Sequence, residues 1–245
     1  MNRRAYMRYE LLRTLRNRRY FLLTFAFPVL LYFVIAGPNK KEHNLGGSGL
    51  SAPLYYMVGL AAFGTMSAML SAGGRIAAER SAGWNRQLRL TPLTPREYFR
   101  AKIVTAYAVA GVCLILLYVS GTILGVRLSA HEWFSMTGLI LAGLVPFGAM
   151  AILFGHLLSS DSIGPAMGGA IAVLALLGGT WFPIGNHDAL YHVARVLPSY
   201  WLVQASHVAL GGRGWSGAGW AVVAGWSVAF GFLAARAYRR DTARM

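Results

Sequence analysis

Acidic side chains are nearly absent from this chain. Eight Asp and Glu stand against 23 Lys and Arg in 245 residues, and charged residues of every kind make up only 13%. A soluble domain carries about a quarter. With 56% hydrophobic residues and a mean hydropathy of +0.48, the composition is that of a polytopic membrane protein. The single cysteine, Cys113, excludes an intrachain disulfide and reads as a small core residue. No G-x-x-x-x-G-K-[ST] sequence occurs, which excludes ATP binding and hydrolysis by a P-loop. Glu10, Glu42, Glu79, Glu97, Glu132, Asp161, Asp188 and Asp241 all fall in loops, at span ends or in the termini. That leaves no mid-membrane carboxylate of the kind ion-driven transporters use.

What the chain does have is apolar length. Six stretches near the roughly 20 residues needed to cross a bilayer lie at about 20–36, 52–72, 103–124, 134–158, 163–182 and 215–235. The expected fold is therefore an all-α membrane protein of six transmembrane helices. Eighteen of the 23 basic residues lie before the first span, between the second and third, or after the sixth. The remaining five are Lys40, Lys41, Arg127, Arg195 and Arg213. An even number of spans puts the eighteen on one side, and the positive-inside bias makes that side the cytoplasm, with both termini in it. The distribution argues against nucleic acid as a partner for the +15 formal charge, since no soluble basic domain carries it.

The whole chain, 1–245, reads as one transmembrane domain. Residues 1–19 place Ala5, Tyr9, Leu12 and Leu15 on a rough apolar stripe among arginines, which suits a helix lying along the cytoplasmic interface. Residues 20–72 hold spans one and two, 73–102 a cytoplasmic segment, and 103–182 spans three to five. An outer segment at 183–214, span six at 215–235 and a tail at 236–245 complete the chain. The outer segment is half apolar and broken at Pro198; its runs are too short to span and suit two short re-entrant helices. "NRRYFLL" at Asn17–Leu23 looks like a twin-arginine export signal, but no small-x-small cleavage site follows it. Gly164 and Gly168 form a GxxxG, which permits close helix approach. His187, Asp188 and His192 are the only metal-like cluster, and they lack the third or fourth ligand and the support a zinc site needs.

The segment "ERSAGWNRQLRLTPLTPREYFRAK" (Glu79–Lys102) is more informative. Ala77, Ser81, Trp84 and Leu88 share one helix face, with Arg75, Glu79, Arg86 and Arg89 opposite, predicting an amphipathic helix continuing from the second span. Pro92 then disfavours helix at Thr91. Thr94, Pro95 and Glu97 spell an N-cap, a first-turn proline and a capping box, so a second helix starts there. A loop that only fixed topology would need the charge but neither the apolar stripe nor the punctuation.

This segment resembles the one after the second span in type-2 ATP-binding-cassette (ABC) exporter permeases. Glu79, Arg80, Gly83, Thr91, Pro92, Leu93, Thr94, Tyr98, Ala101 and Lys102 carry the match. "GGTWFPIGNHDALYHVARVLPSYWLVQASHVALGG" (Gly178–Gly212) is similar to that family's motif ending span five, though Gly185–Asp188 stands where a Leu-Pro pair is expected. The resemblance implies a permease that binds no cofactor itself and pairs with a second permease copy. Two cytoplasmic ATP-binding subunits would hold ATP and Mg. The cytoplasmic segment would be the coupling helix docked on an ATPase, with Glu79, Arg80, Gly83, Trp84, Leu88, Thr94 and Glu97 as its working residues. A substrate path would be lined by Phe63, Met66, Leu70, Trp181 and Phe182, and would suit a lipophilic or amphipathic drug, antibiotic or lipid leaving a bacterial cell. Twenty Arg to three Lys hints at a GC-rich bacterial genome. The competing readings are a secondary transporter or channel, weakened by the missing carboxylates, and a membrane enzyme, weakened by the missing catalytic constellation.

Overall fold

The computed structural model describes residues 3–17, 22–83, 87, 94–185, 189–210 and 214–243. Among them the regular structure is helical, without strands. In chain order the helices are α1 (Arg3–Leu15), α2 (Phe27–Ala36), α3 (Ala52–Ser81), α4 (Pro95–Ile123) and α5 (Ala130–Gly143). There follow α6 (Val145–Leu157), α7 (Ser160–Leu177), α8 (Ala189–Ala194), α9 (Pro198–Gln204) and α10 (Gly217–Ala243).

Among the described residues, five helices are long and apolar enough to cross a membrane: α3, α4, α5 with α6 taken together, α7 and α10. Within the first predicted span, the described residues form an apolar helix over Thr24–Ala36. Its start, Leu22–Ala26, is wound as a π-helix ahead of Pro28 in the first turn of α2. Proline has no N–H to give to an α-helical turn, and a wider turn is one way to accommodate it. Pro146 also stands in a first turn, at the α5–α6 break.

The long central helix α3 is the spine. It packs on α2, α4, α6, α7 and α9, and its buried face runs from Ala52 to Glu79. Two glycines set its closest crossing with α6. A Cβ on Gly73 would stand 2.5 Å from the Ala151 carbonyl, and one on Gly155 would stand 2.9 Å from the Gly73 carbonyl. Both glycines let the two backbones approach closely. A methyl group placed on Gly164 or Gly168 would meet nothing within 4 Å; within one chain, their GxxxG face packs against no helix.

α1 docks on α4 through Tyr6, Glu10 and Thr14, which are buried, while Tyr9 and Leu12 of the predicted apolar stripe are exposed. The face turned to the protein is thus a polar one. Opposite this end, α9 begins at Pro198, and Trp201 and Trp226 donate to the Arg195 and Val196 carbonyls. These bonds tie the short helices to the end of the bundle where α3 begins, a placement completed by the Tyr55 hydroxyl on the Gly179 carbonyl.

Candidate coupling site at the basic end of the bundle

α3 and α4 overrun their predicted spans. α3 continues through Glu79 to Ser81 and α4 starts at Pro95, so two ends of regular helix face each other across the insert. Gly83 stops α3: its φ of 70° is left-handed, and its N–H bonds to the Arg80 carbonyl, the usual glycine ending of a helix. The predicted stripe is therefore not one helix. Ala77 and Ser81 belong to α3, whereas Trp84 and Leu88 come after the break and lie outside the described residues. The start of α4 carries the capping box. Glu97 N–H donates to Thr94 Oγ1 at 3.4 Å, and Thr94 N–H donates to Glu97 Oε2 at 3.0 Å. Both residues face solvent at least in part.

Glu79 and Arg80 are both engaged by other parts of the chain. Glu79 is 4% exposed; its carboxylate accepts from Lys102 at 2.6 Å, the Tyr98 hydroxyl at 2.8 Å and Arg13 at 3.1 Å. Arg80 donates to the carbonyls of His156 and Leu158, satisfying acceptors that the end of α6 leaves without helical partners. It also lies 3.8 Å from Asp241 of α10, which in turn meets His156 Nδ1 at 3.0 Å. The reason is energetic: a carboxylate or guanidinium at the end of an apolar bundle is stable only with its bonds made. This pair locks helices to one another.

Lys102 enters the sequence reading only as a motif match, yet it sits at the centre of this end of the bundle. It is 1% exposed and holds Glu10 at 2.7 Å and Glu79 at 2.6 Å. One ammonium thus fastens α1, α3 and α4 together. Glu10 and Glu79 lie in the N-terminal helix and at the end of α3, and both are buried. Their burial is at the basic end of the bundle, so neither stands in the middle of a span. A signal for Glu10 was available, since it is the lone acid of a basic N-terminal segment, but its partner lies 92 positions away.

The predicted substrate-path residues divide. Met66 and Leu70 are buried in the core and line no path in this conformation. Phe63 is half-buried and packs between Phe27 and Trp181, with ring centroids 6.2 and 5.7 Å away. Phe182 is exposed. Among the described residues, no group of three or more His, Cys, Asp and Glu could hold a metal; His187 and Asp188 lie outside them.

The sequence profile of the ABC-2 family transporter proteins matches residues 36–236, more than half of the chain. The chain belongs to the ABC-2 family. A Bacillus subtilis (strain 168) protein named "Putative transport permease YvfS" is 29% identical over 195 residues, 78% of each chain. ABC-2 membership makes this a transport permease subunit of the membrane and implies an ATP-binding partner. The bundle end described above is where this ABC-2 chain gathers its arginines and presents the insert between α3 and α4.

Proposed function

We propose that this ABC-2 permease is the membrane subunit of an ATP-driven exporter in a bacterial cell membrane, with both termini in the cytoplasm. Two permease copies, identical or merely similar, assemble with two copies of an ATP-binding subunit that carries ATP and Mg. The substrate is lipophilic or amphipathic: a drug, an antibiotic or a lipid. The insert beyond Gly83, with Trp84 and Leu88, seats on the ATPase, while Thr94 and Glu97 fix the start of the returning helix. The open face of α7 around Gly164 and Gly168 is available to the second permease copy.

One observation supports this reading above the others. The insert hangs between two helix ends that Lys102 and Glu79 join directly, and Glu10 joins α1 to the same point. A push on the insert therefore reaches α1, α3 and α4 as one body, rather than being absorbed in a loose loop. Purification of the tagged chain from its native membrane tests the assembly. An ATP-binding subunit should co-purify in equal number, and ATP hydrolysis should follow that subunit. A stable chain that retains no such subunit under mild extraction, and hydrolyses no ATP, would contradict it.

A further inference from the structure

The lysine-centred cluster gathers more basic than acidic side chains among the described residues. Among the described residues, Glu10 and Glu79 face Lys102, Arg13 and Arg75: Arg13 lies 3.1 Å from Glu79 and Arg75 lies 3.9 Å from Glu10. Three formal positive charges meet two negative ones. Two of the three cations, Arg13 and Arg75, border a groove between α1 and α3 of about 290 Å³, whose lining includes Thr14, Asn17, Ser71 and Gly74. Space there is real, because a Cβ added to Gly74 meets nothing within 4 Å. Arg13 is half-exposed and Arg75 largely covered, so one guanidinium is presented to the groove while the other is held behind it by Glu10 and Ser71.

The groove also has a definite position. It lies at the end of the bundle that holds the chain's arginine-rich segments, where the apolar part of α3 gives way to Arg75, Glu79 and Arg80. Beside it, α1 turns Tyr9 and Leu12 outward, as a helix lying in a lipid interface does. A basic recess between membrane helices at the headgroup level suits an anionic lipid headgroup. Guanidinium groups suit phosphate through paired N–H donors.

We propose that the α1–α3 groove binds a phosphate group, with Arg13 as its charged donor, Arg75 behind it adding positive charge, and the space over Gly74 as its seat. An anionic phospholipid of the adjoining leaflet and soluble inorganic phosphate both offer this chemistry. Bound phosphate adds negative charge to the cluster and fastens α1 to α3 from the lipid side. The site is independent of how the permease is driven.

Native mass spectrometry of the purified chain tests it, with phosphatidylglycerol, phosphatidylcholine and inorganic phosphate titrated separately. Phosphatidylglycerol retention should exceed that of phosphatidylcholine. Arg13→Gln should lower it by about tenfold, the worth of one charge-assisted hydrogen bond. Gly74→Leu fills the groove without touching a charge and should lower retention as much, and its unchanged melting temperature without lipid would show the fold intact. If only inorganic phosphate binds, with the same sensitivity to both variants, the site stands and its source is soluble. If both variants retain phosphatidylglycerol and phosphate as the wild type does, the proposal is overturned.

Discussion

Lys102 Nζ lies 2.6 Å from Glu79 Oε1, joining the first turns of α4 to the last turns of α3 with neither group open to solvent. Removing one partner of such a pair leaves a buried charge uncompensated, at a cost of roughly 3–5 kcal/mol. Lys102→Met, which keeps most of the length of the side chain, should therefore lower the melting temperature in detergent strongly. Arg13→Ala breaks a half-exposed contact with the same carboxylate and should cost no more than about 1 kcal/mol. Equal effects from the two variants would mean that Lys102 is not the centre of the cluster.

Adjacent glycines give a second comparison. Gly73→Ala puts a methyl 2.5 Å from the Ala151 carbonyl, whereas Gly74→Ala puts one into open space. Both substitutions gain the same helix propensity, so the difference reports packing alone. Forced overpacking costs about 1–3 kcal/mol. Thermal unfolding should show Gly73→Ala destabilised against Gly74→Ala by that margin, and matching melting temperatures would contradict the close α3–α6 crossing.

His207, in the 3₁₀ turn after α9, has its pKa lowered by burial, with a backbone bond near Gln204 opposing the shift. The unfolded chain then binds a proton more readily than the folded one, so stability falls as pH drops below the ordinary histidine value of about 6.5. Above that value His207 is neutral in both states and contributes no pH dependence. Melting curves between about pH 7.5 and 5, on either side of that value, should show a smaller loss for His207→Gln than for the wild type. A larger loss for the variant would reverse the sign of this account.

The capping box at the head of α4 offers a test of coupling. Thr94→Val with Glu97→Ala removes both bonds, and an N-cap alone is worth about 1 kcal/mol. That is small against the whole bundle but large for the orientation of one exposed helix start. Membrane abundance should stay near wild type, while substrate stimulation of ATP hydrolysis by the assembled exporter should fall. A variant with unchanged stimulation would assign the capping box to folding only.

These features are unequally legible in the sequence. The capping box can be read because its two bonds span three residues, and the apolar helices because hydropathy is a local sum. Glu79 and Arg80 stand out in the motif, but the motif suggests an outer surface where the structure buries Glu79 and bonds Arg80 to the end of α6. A helical wheel shows which residues share a face; it does not show that Gly83 ends the helix or that α3 is enclosed by α1, α4 and α6 at this end. The partner separations explain the rest. Glu10 finds Lys102 across 92 positions, and Arg80 finds the His156 carbonyl across 76. Pairings of that range are set by how helices stack, which composition and periodicity do not record. Gly73 and Gly155 carry no local signal for the same reason, while the more conspicuous Gly164 and Gly168 pack on nothing within the chain.

The central claim, that ATP hydrolysis on a partner drives this permease through the insert beyond Gly83, is tested most directly by transport in inside-out vesicles. The chain and its co-purifying ATPase are reconstituted with a lipophilic cation as reporter, and uptake is followed with and without ATP. The account predicts ATP-dependent uptake that Trp84→Ala abolishes, because the largest apolar side chain of the insert is a typical interface anchor, while hydrolysis continues without responding to the cation. Uptake that proceeds without ATP under an imposed ion gradient, and is untouched by Trp84→Ala, would contradict it.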